Sequence, residues 1–134
     1  MSKLNRRSFI AMAGTATVGV ATNGTTITKK KNSIIHHVFF WLNNPRSEED
    51  RKLLMAGLKT LKKIKPVRQL YIGVPAATEK REVIESGYDV SELIFFDDLA
   101  GQKAYQDDPI HLRFIKDYGH LWKKVVVYDV QQLD

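Results

Sequence analysis

Tyr105-Gln106-Asp107-Asp108-Pro109-Ile110-His111-Leu112-Arg113-Phe114-Ile115-Lys116-Asp117-Tyr118-Gly119-His120-Leu121-Trp122 is the stretch from which the rest of the chain can be read. Asp108-Pro109 predicts a helix start. An aspartate carboxylate accepts hydrogen bonds from the unpaired first-turn amides, and proline at the first helical position gives up no useful donor. Beyond it Ile110, His111, Phe114, Ile115, Tyr118, Leu121 and Trp122 recur at helical spacing and form one apolar or aromatic face. His111 falls on the edge of that face in the first turn, where the positive end of the helix dipole favours neutral imidazole, the form that accepts a proton. Tyr105 precedes the Asp-Pro break, so it belongs to another element and can converge with His111 only in space.

Upstream, Ser33 to Asn43 predicts a first strand. Its alternation puts His37, Phe39 and Trp41 on one face and Val38, Phe40 and Leu42 on the other, so both faces want cover. Ser47-Glu48-Glu49-Asp50 predicts a capped helix start, Leu54, Leu58 and Leu61 its buried stripe, and Pro66 its stop. Val67 to Val74 and Tyr88 to Phe96 predict two more strands around a polar loop, and Asp97 to Gln106 a short helix. Val125 to Gln131 predicts the fourth strand. The order β-α-β-β-α-α-β is that of a ferredoxin-like α+β sandwich with its helices on one face of the sheet. The second face, assigned to Val38, Phe40 and Leu42, is too apolar to stay open. Two such sheets packed face to face make a dimeric α/β barrel, so the pattern asks for a homodimer.

Tyr105, Asp108-Pro109-Ile110-His111 and Phe114 resemble the stress-responsive α/β-barrel (Dabb) family, whose pattern here is roughly Tyr, then His-Pro-x-His, then Phe. Asp108 stands where the pattern has its first His. The resemblance spans about residues 33–132 and implies the same dimeric barrel. Small haem-degrading and quinol-type monooxygenases use this barrel too, but the Tyr105 to Phe114 pattern favours the stress-responsive family.

The net charge of +6 suggests nucleic acid until its distribution is considered. Lys3, Arg6, Arg7, Lys29, Lys30 and Lys31 supply the whole excess, and no acid lies among residues 1–31. The remaining residues hold 15 basic and 15 acidic side chains, which leaves no basic stripe for a phosphate backbone. Cysteine is absent, which excludes disulfides and thiolate metal sites. Asn5-Arg6-Arg7-Ser8-Phe9-Ile10 resembles a twin-arginine export motif, and an uncharged, moderately apolar run follows to Thr22. That run is too short for a membrane span, which needs about 20 residues, but it suits a signal. The expected organisation is a signal over 1–22, a linker over 23–32 and the domain over 33–134, in an exported, periplasmic protein. Cleavage after Ala21 and retention as an anchor both remain open.

His111, Tyr105 and His37 are the candidate site residues. His36 points to the opposite face from His37, so both cannot serve one cavity. The resemblance puts a His at the start of this strand, and His37, just before the apolar run, is the one taken. Phe39, Trp41 and Phe114 are expected as walls. Tyr105, with an ordinary pKa of about 10, would donate or orient and not act as a base. His120 is expected in solvent, and Asp107-Asp108 lacks further ligands for a metal. Some members of the family are polyketide cyclases. There a tyrosine and a histidine at these positions promote an aldol condensation without cofactor. The first expectation is an exported homodimer binding a small apolar or aromatic ligand, with no firmly assigned catalysis. The alternative is a cyclase-like enzyme with His111 as base and Tyr105 as donor.

Overall fold

The computed structural model describes residues 32–133. The export motif and almost all of the linker lie outside them. Four strands and three helices follow in the order β1 (Ile34–Leu42), α1 (Glu48–Thr60), β2 (Gln69–Gly73), β3 (Val90–Phe96), α2 (Leu99–Asp107), α3 (Pro109–Tyr118) and β4 (Trp122–Gln131). The sheet order is β2-β3-β1-β4, with every neighbouring pair antiparallel. β1 and β2 thus run the same way with β3 between them, and α1 makes the crossover. This is the expected ferredoxin-like α+β sandwich.

Local chemistry explains the element ends. The Ser47 hydroxyl accepts from the Asp50 amide, and Glu48, Glu49 and Asp50 crowd the positive end of α1. α1 gives way to a 3₁₀ turn over Leu61–Lys63, ahead of Pro66. The Asp98 and Asp108 carboxylates cap α2 and α3, accepting from the Gly101 and Ile110 amides, and Pro109 takes the first position of α3. The helix expected to run on to Trp122 is shorter. It ends at Tyr118, tightens into a 3₁₀ turn over Gly119–Leu121, and Trp122 opens β4. The Trp122 ring still packs where the helical period put it, 5.2 Å from the Phe40 ring and 5.6 Å from that of Phe114.

The assignment of the two sheet faces is corrected. Ile34, His36, Val38, Phe40 and Leu42 are buried beneath the helices, against Leu54, Leu58, Leu61, Phe114 and Leu121. The uncovered face carries Ile35, His37, Phe39 and Trp41, with Tyr128 and Val130 of β4 and Tyr71 of β2 exposed beside them. Strand alternation separates two apolar sets without saying which one the helices take. That choice comes from the side on which the α1 crossover packs, a handedness that one strand's pattern does not carry. Both sets are apolar, so the reason for expecting a second copy survives on the other face.

Candidate functional site

A cavity of about 320 Å³ lies between the sheet and the α2–α3 corner. Its volume sits near the lower end of small-ligand pockets, which run from about 300 to 1,000 Å³. Val38, Phe40 and Trp122 form apolar walls, and Ile115, Val125 and Val127, all partly exposed, form the rim. The opening exists because β4 is an edge strand whose helix-side residues the helices do not fully cover. Five polar residues line the cavity, His36, Glu92, Tyr105, Gln106 and His111, and four of them carry titratable side chains: His36, Glu92, Tyr105 and His111.

His111 lies in the first turn of α3 and is 9% exposed. Its Nδ1 is 3.1 Å from the Gln106 carbonyl oxygen. That carbonyl belongs to the last turn of α2. The Ile110 amide, which would close the next helical bond to it, instead donates to the Asp108 carboxylate. A carbonyl only accepts, so Nδ1 carries the proton and Nε2 is the basic nitrogen. The pKa of His111 is held below its ordinary value, first by burial and also by nearby His36, against the pull of the Gln106 carbonyl and Asp108. The neutral form expected at a helix start is therefore favoured, mainly through loss of water.

The Tyr105 and His111 ring centroids are 4.5 Å apart, so the two residues placed on either side of the Asp-Pro break do converge. Tyr105 is 1% exposed. Burial, and then the neighbouring Glu92, push its pKa up, and it stays a phenol that donates. The Tyr105 hydroxyl donates at 3.5 Å to Glu92 Oε1, a long contact. Glu92 on β3 is itself 2% exposed. Burial raises its pKa to about 8, against the opposing pull of the Tyr105 hydrogen bond, so near neutrality it is largely a neutral carboxylic acid.

His36, not His37, completes the group. Its ring lies 5.7 Å from that of Tyr105, and its Nδ1 meets Asp129 Oδ1 at 2.6 Å across the β1–β4 pair. Nδ1 donates to the carboxylate, which fixes the tautomer and leaves Nε2 basic. His37 lies on the open face, its ring 4.2 Å from Phe39, and partial burial and His36 lower its pKa. Phe39 and Trp41 line a different hollow on that open face, so of the expected walls only Phe114 packs on the helix side. His120 is exposed, as expected. Among the described residues no three His, Cys, Asp or Glu side chains group closely enough to hold a metal ion. The exchange of the two faces is what puts His36 at this cavity and His37 away from it. Glu92 and Asp129 are not among the residues expected from sequence, although Glu92 is a lone acid in phase with apolar Val90, Ile94 and Phe96 on β3. That is a legible sign of a buried carboxyl.

Comparison with known proteins places the chain in a family. No curated protein matches the sequence at a significant level. A Mesorhizobium loti Dabb family protein with a ferredoxin-like fold is 23% identical, with a TM-score of 0.63, over 78% of this chain and 100% of that one. A Thermobifida fusca protein of unknown function, described as dimeric and ferredoxin-like, is 18% identical with a TM-score of 0.61, over 76% and 92%. A hydroxynitrile lyase from Passiflora edulis is 21% identical with a TM-score of 0.61, over 75% and 93%. These likenesses show the fold. The family model for the stress responsive A/B barrel domain matches residues 34–132, and the chain belongs to that Dabb family.

Proposed function

We propose that this Dabb protein is exported, works as a homodimer, and binds a small apolar or aromatic carbonyl compound in the helix-side cavity, with His111 as base. The observation that carries the reading is the convergence of neutral His111, the Tyr105 phenol and the Asp129-held His36 on one apolar-walled cavity. In such a site His111 Nε2 takes a proton from the carbon next to the carbonyl. The bonding pair becomes the enolate double bond. The carbonyl oxygen, gaining charge, is met on the side where Tyr105 and Glu92 sit together. Returning a proton from the imidazolium reverses the step, and attack of the enolate on a second carbonyl makes it a condensation. Neither outcome requires a cofactor. That a hydroxynitrile lyase is built on this fold lends further support.

The dimer reading rests on the open face, where Ile35, His37, Phe39 and Trp41 lack a helix layer, and on neighbours described as dimeric. The export reading rests on Arg6-Arg7 and the uncharged run behind them. Changing both arginines to lysine is expected to hold the protein in the cytoplasm, and unchanged periplasmic delivery counts against it. The site is tested with acetophenone in heavy water, following deuterium entry at the methyl carbon by NMR. The wild type is expected to accelerate exchange, and His111→Ala to reduce it by about 100-fold or more. Binding without any acceleration by the wild type would mean a binding protein and no base.

A further inference from the structure

We propose that Glu92 is the ligand-facing proton donor of this cavity, and that Tyr105 acts through it as a positioning residue. The inference rests on the carbonyl-site reading above and names the group that touches the ligand's oxygen. Tyr105 is the obvious candidate from sequence, but its hydroxyl is turned onto Glu92 Oε1. Among the described residues that hydroxyl is the side-chain partner of the Glu92 carboxyl. None of their fully buried side-chain polar atoms lacks a partner, so the second Glu92 oxygen keeps access to the cavity that the residue lines. With Tyr105 donating to Oε1, the acid proton sits on Oε2 and is free to point at a ligand.

The groups facing Glu92 suit a neutral acid. From β1 comes His36, whose Nδ1 proton is committed to Asp129 of β4; from α2 comes the Tyr105 phenol; from α3 comes neutral His111. Among the described residues no lysine or arginine lines the cavity to hold the carboxyl ionised, and burial favours the protonated form. A carboxylic acid kept neutral in an apolar site is a strong donor to an oxygen that gains charge. The proton step then balances. His111 takes the carbon-bound proton, the pair moves into the carbon–carbon double bond, and the carbonyl oxygen takes the Glu92 proton. The products are an enol, a glutamate carboxylate and an imidazolium, and the reverse transfers restore all three groups. The same arrangement sets a ligand class. It admits a neutral carbonyl compound, whereas an anionic carboxylate would give up its hydration to enter a dry site that no described lysine or arginine lines.

The test is the infrared carbonyl stretch of carbon-13-labelled acetophenone bound to the protein, read alongside deuterium exchange. The wild type and His111→Ala are expected to lower the stretch relative to the free ligand in an apolar solvent. Glu92→Leu should lose that lowering and about 100-fold in exchange. Glu92→Gln, which keeps an amide donor, should retain part of the lowering. Tyr105→Phe should retain most of it. In the wild type, exchange should fall above about pH 8 as Glu92 ionises, and that limb should vanish in Glu92→Gln. A stretch still lowered in Glu92→Leu, or lost in Tyr105→Phe alone, overturns the proposal and returns the donor role to Tyr105. Binding with an unshifted stretch in the wild type overturns Glu92 while leaving the site. Failure of acetophenone to bind any of the proteins sinks the site reading and the proposal together.

Discussion

His36 and His37 are chain neighbours in one strand, yet they live in different molecules' worth of chemistry. His36 is buried under the helices, tied to Asp129 and beside Tyr105. His37 lies on the open face against Phe39, with no helix above it. The same contrast holds for Phe40 and Phe39, and for the whole sheet: one face is a finished core with a cavity at its edge, the other an apolar surface waiting for cover. The lesson is that in a strand with two apolar faces, a shift of one residue decides between chemistry and assembly.

That contrast can be broken most forcefully at Phe40, which packs on Trp122 beneath the helices. Phe40→Ala should lower the unfolding free energy in urea by about 3–5 kcal/mol. A loss under about 1 kcal/mol would mean that this face is no core. The second test uses Glu92. The folded carboxyl keeps its proton up to about pH 8, whereas the unfolded chain releases it near the ordinary value of 4.5. Between those two values the folded state binds more protons. Stability from this group is therefore complete below the lower value and lost as pH rises to the upper one, by at most about 1.4 kcal/mol per pH unit. Glu92→Leu should flatten that decline in urea unfolding between pH 5 and 8. An identical slope in the variant would show Glu92 already ionised in the folded state. The mildest effect on the fold itself is expected at Phe39. Phe39→Asp should change monomer stability by about 1 kcal/mol or less, while abolishing the dimer that the wild type is expected to show in sedimentation at low micromolar concentration. A dimer that survives it does not use the open face.

Much of this was legible in the sequence. The Asp108-Pro109 cap, the Ser47 start and the strand alternation are local signals, and local geometry honours them. Tyr105 and His111 meet because the residues between them form a tight corner at a capped helix junction. The face of β1 was not legible from β1, since Val38 and Phe39 are equally apolar and the crossover's handedness decides. The same ambiguity covers His36 and His37, which β1 alone does not tell apart. Asp129 becomes meaningful only once β4 is paired with β1 in register, ninety-three residues away in sequence. Glu92 is legible in the sequence, since an acid in the apolar phase of a strand announces either a partner or a raised pKa.

The comparison of the two neighbouring histidines gives the most direct test. Deuterium exchange of acetophenone would be measured with His36→Ala and His37→Ala side by side, each checked for an unchanged fold by circular dichroism. A site on the helix-covered face predicts that His36→Ala loses most of the exchange activity, by about tenfold or more, while His37→Ala exchanges like the wild type. Exchange lost in His37→Ala and kept in His36→Ala would place the chemistry on the open face and contradict the account.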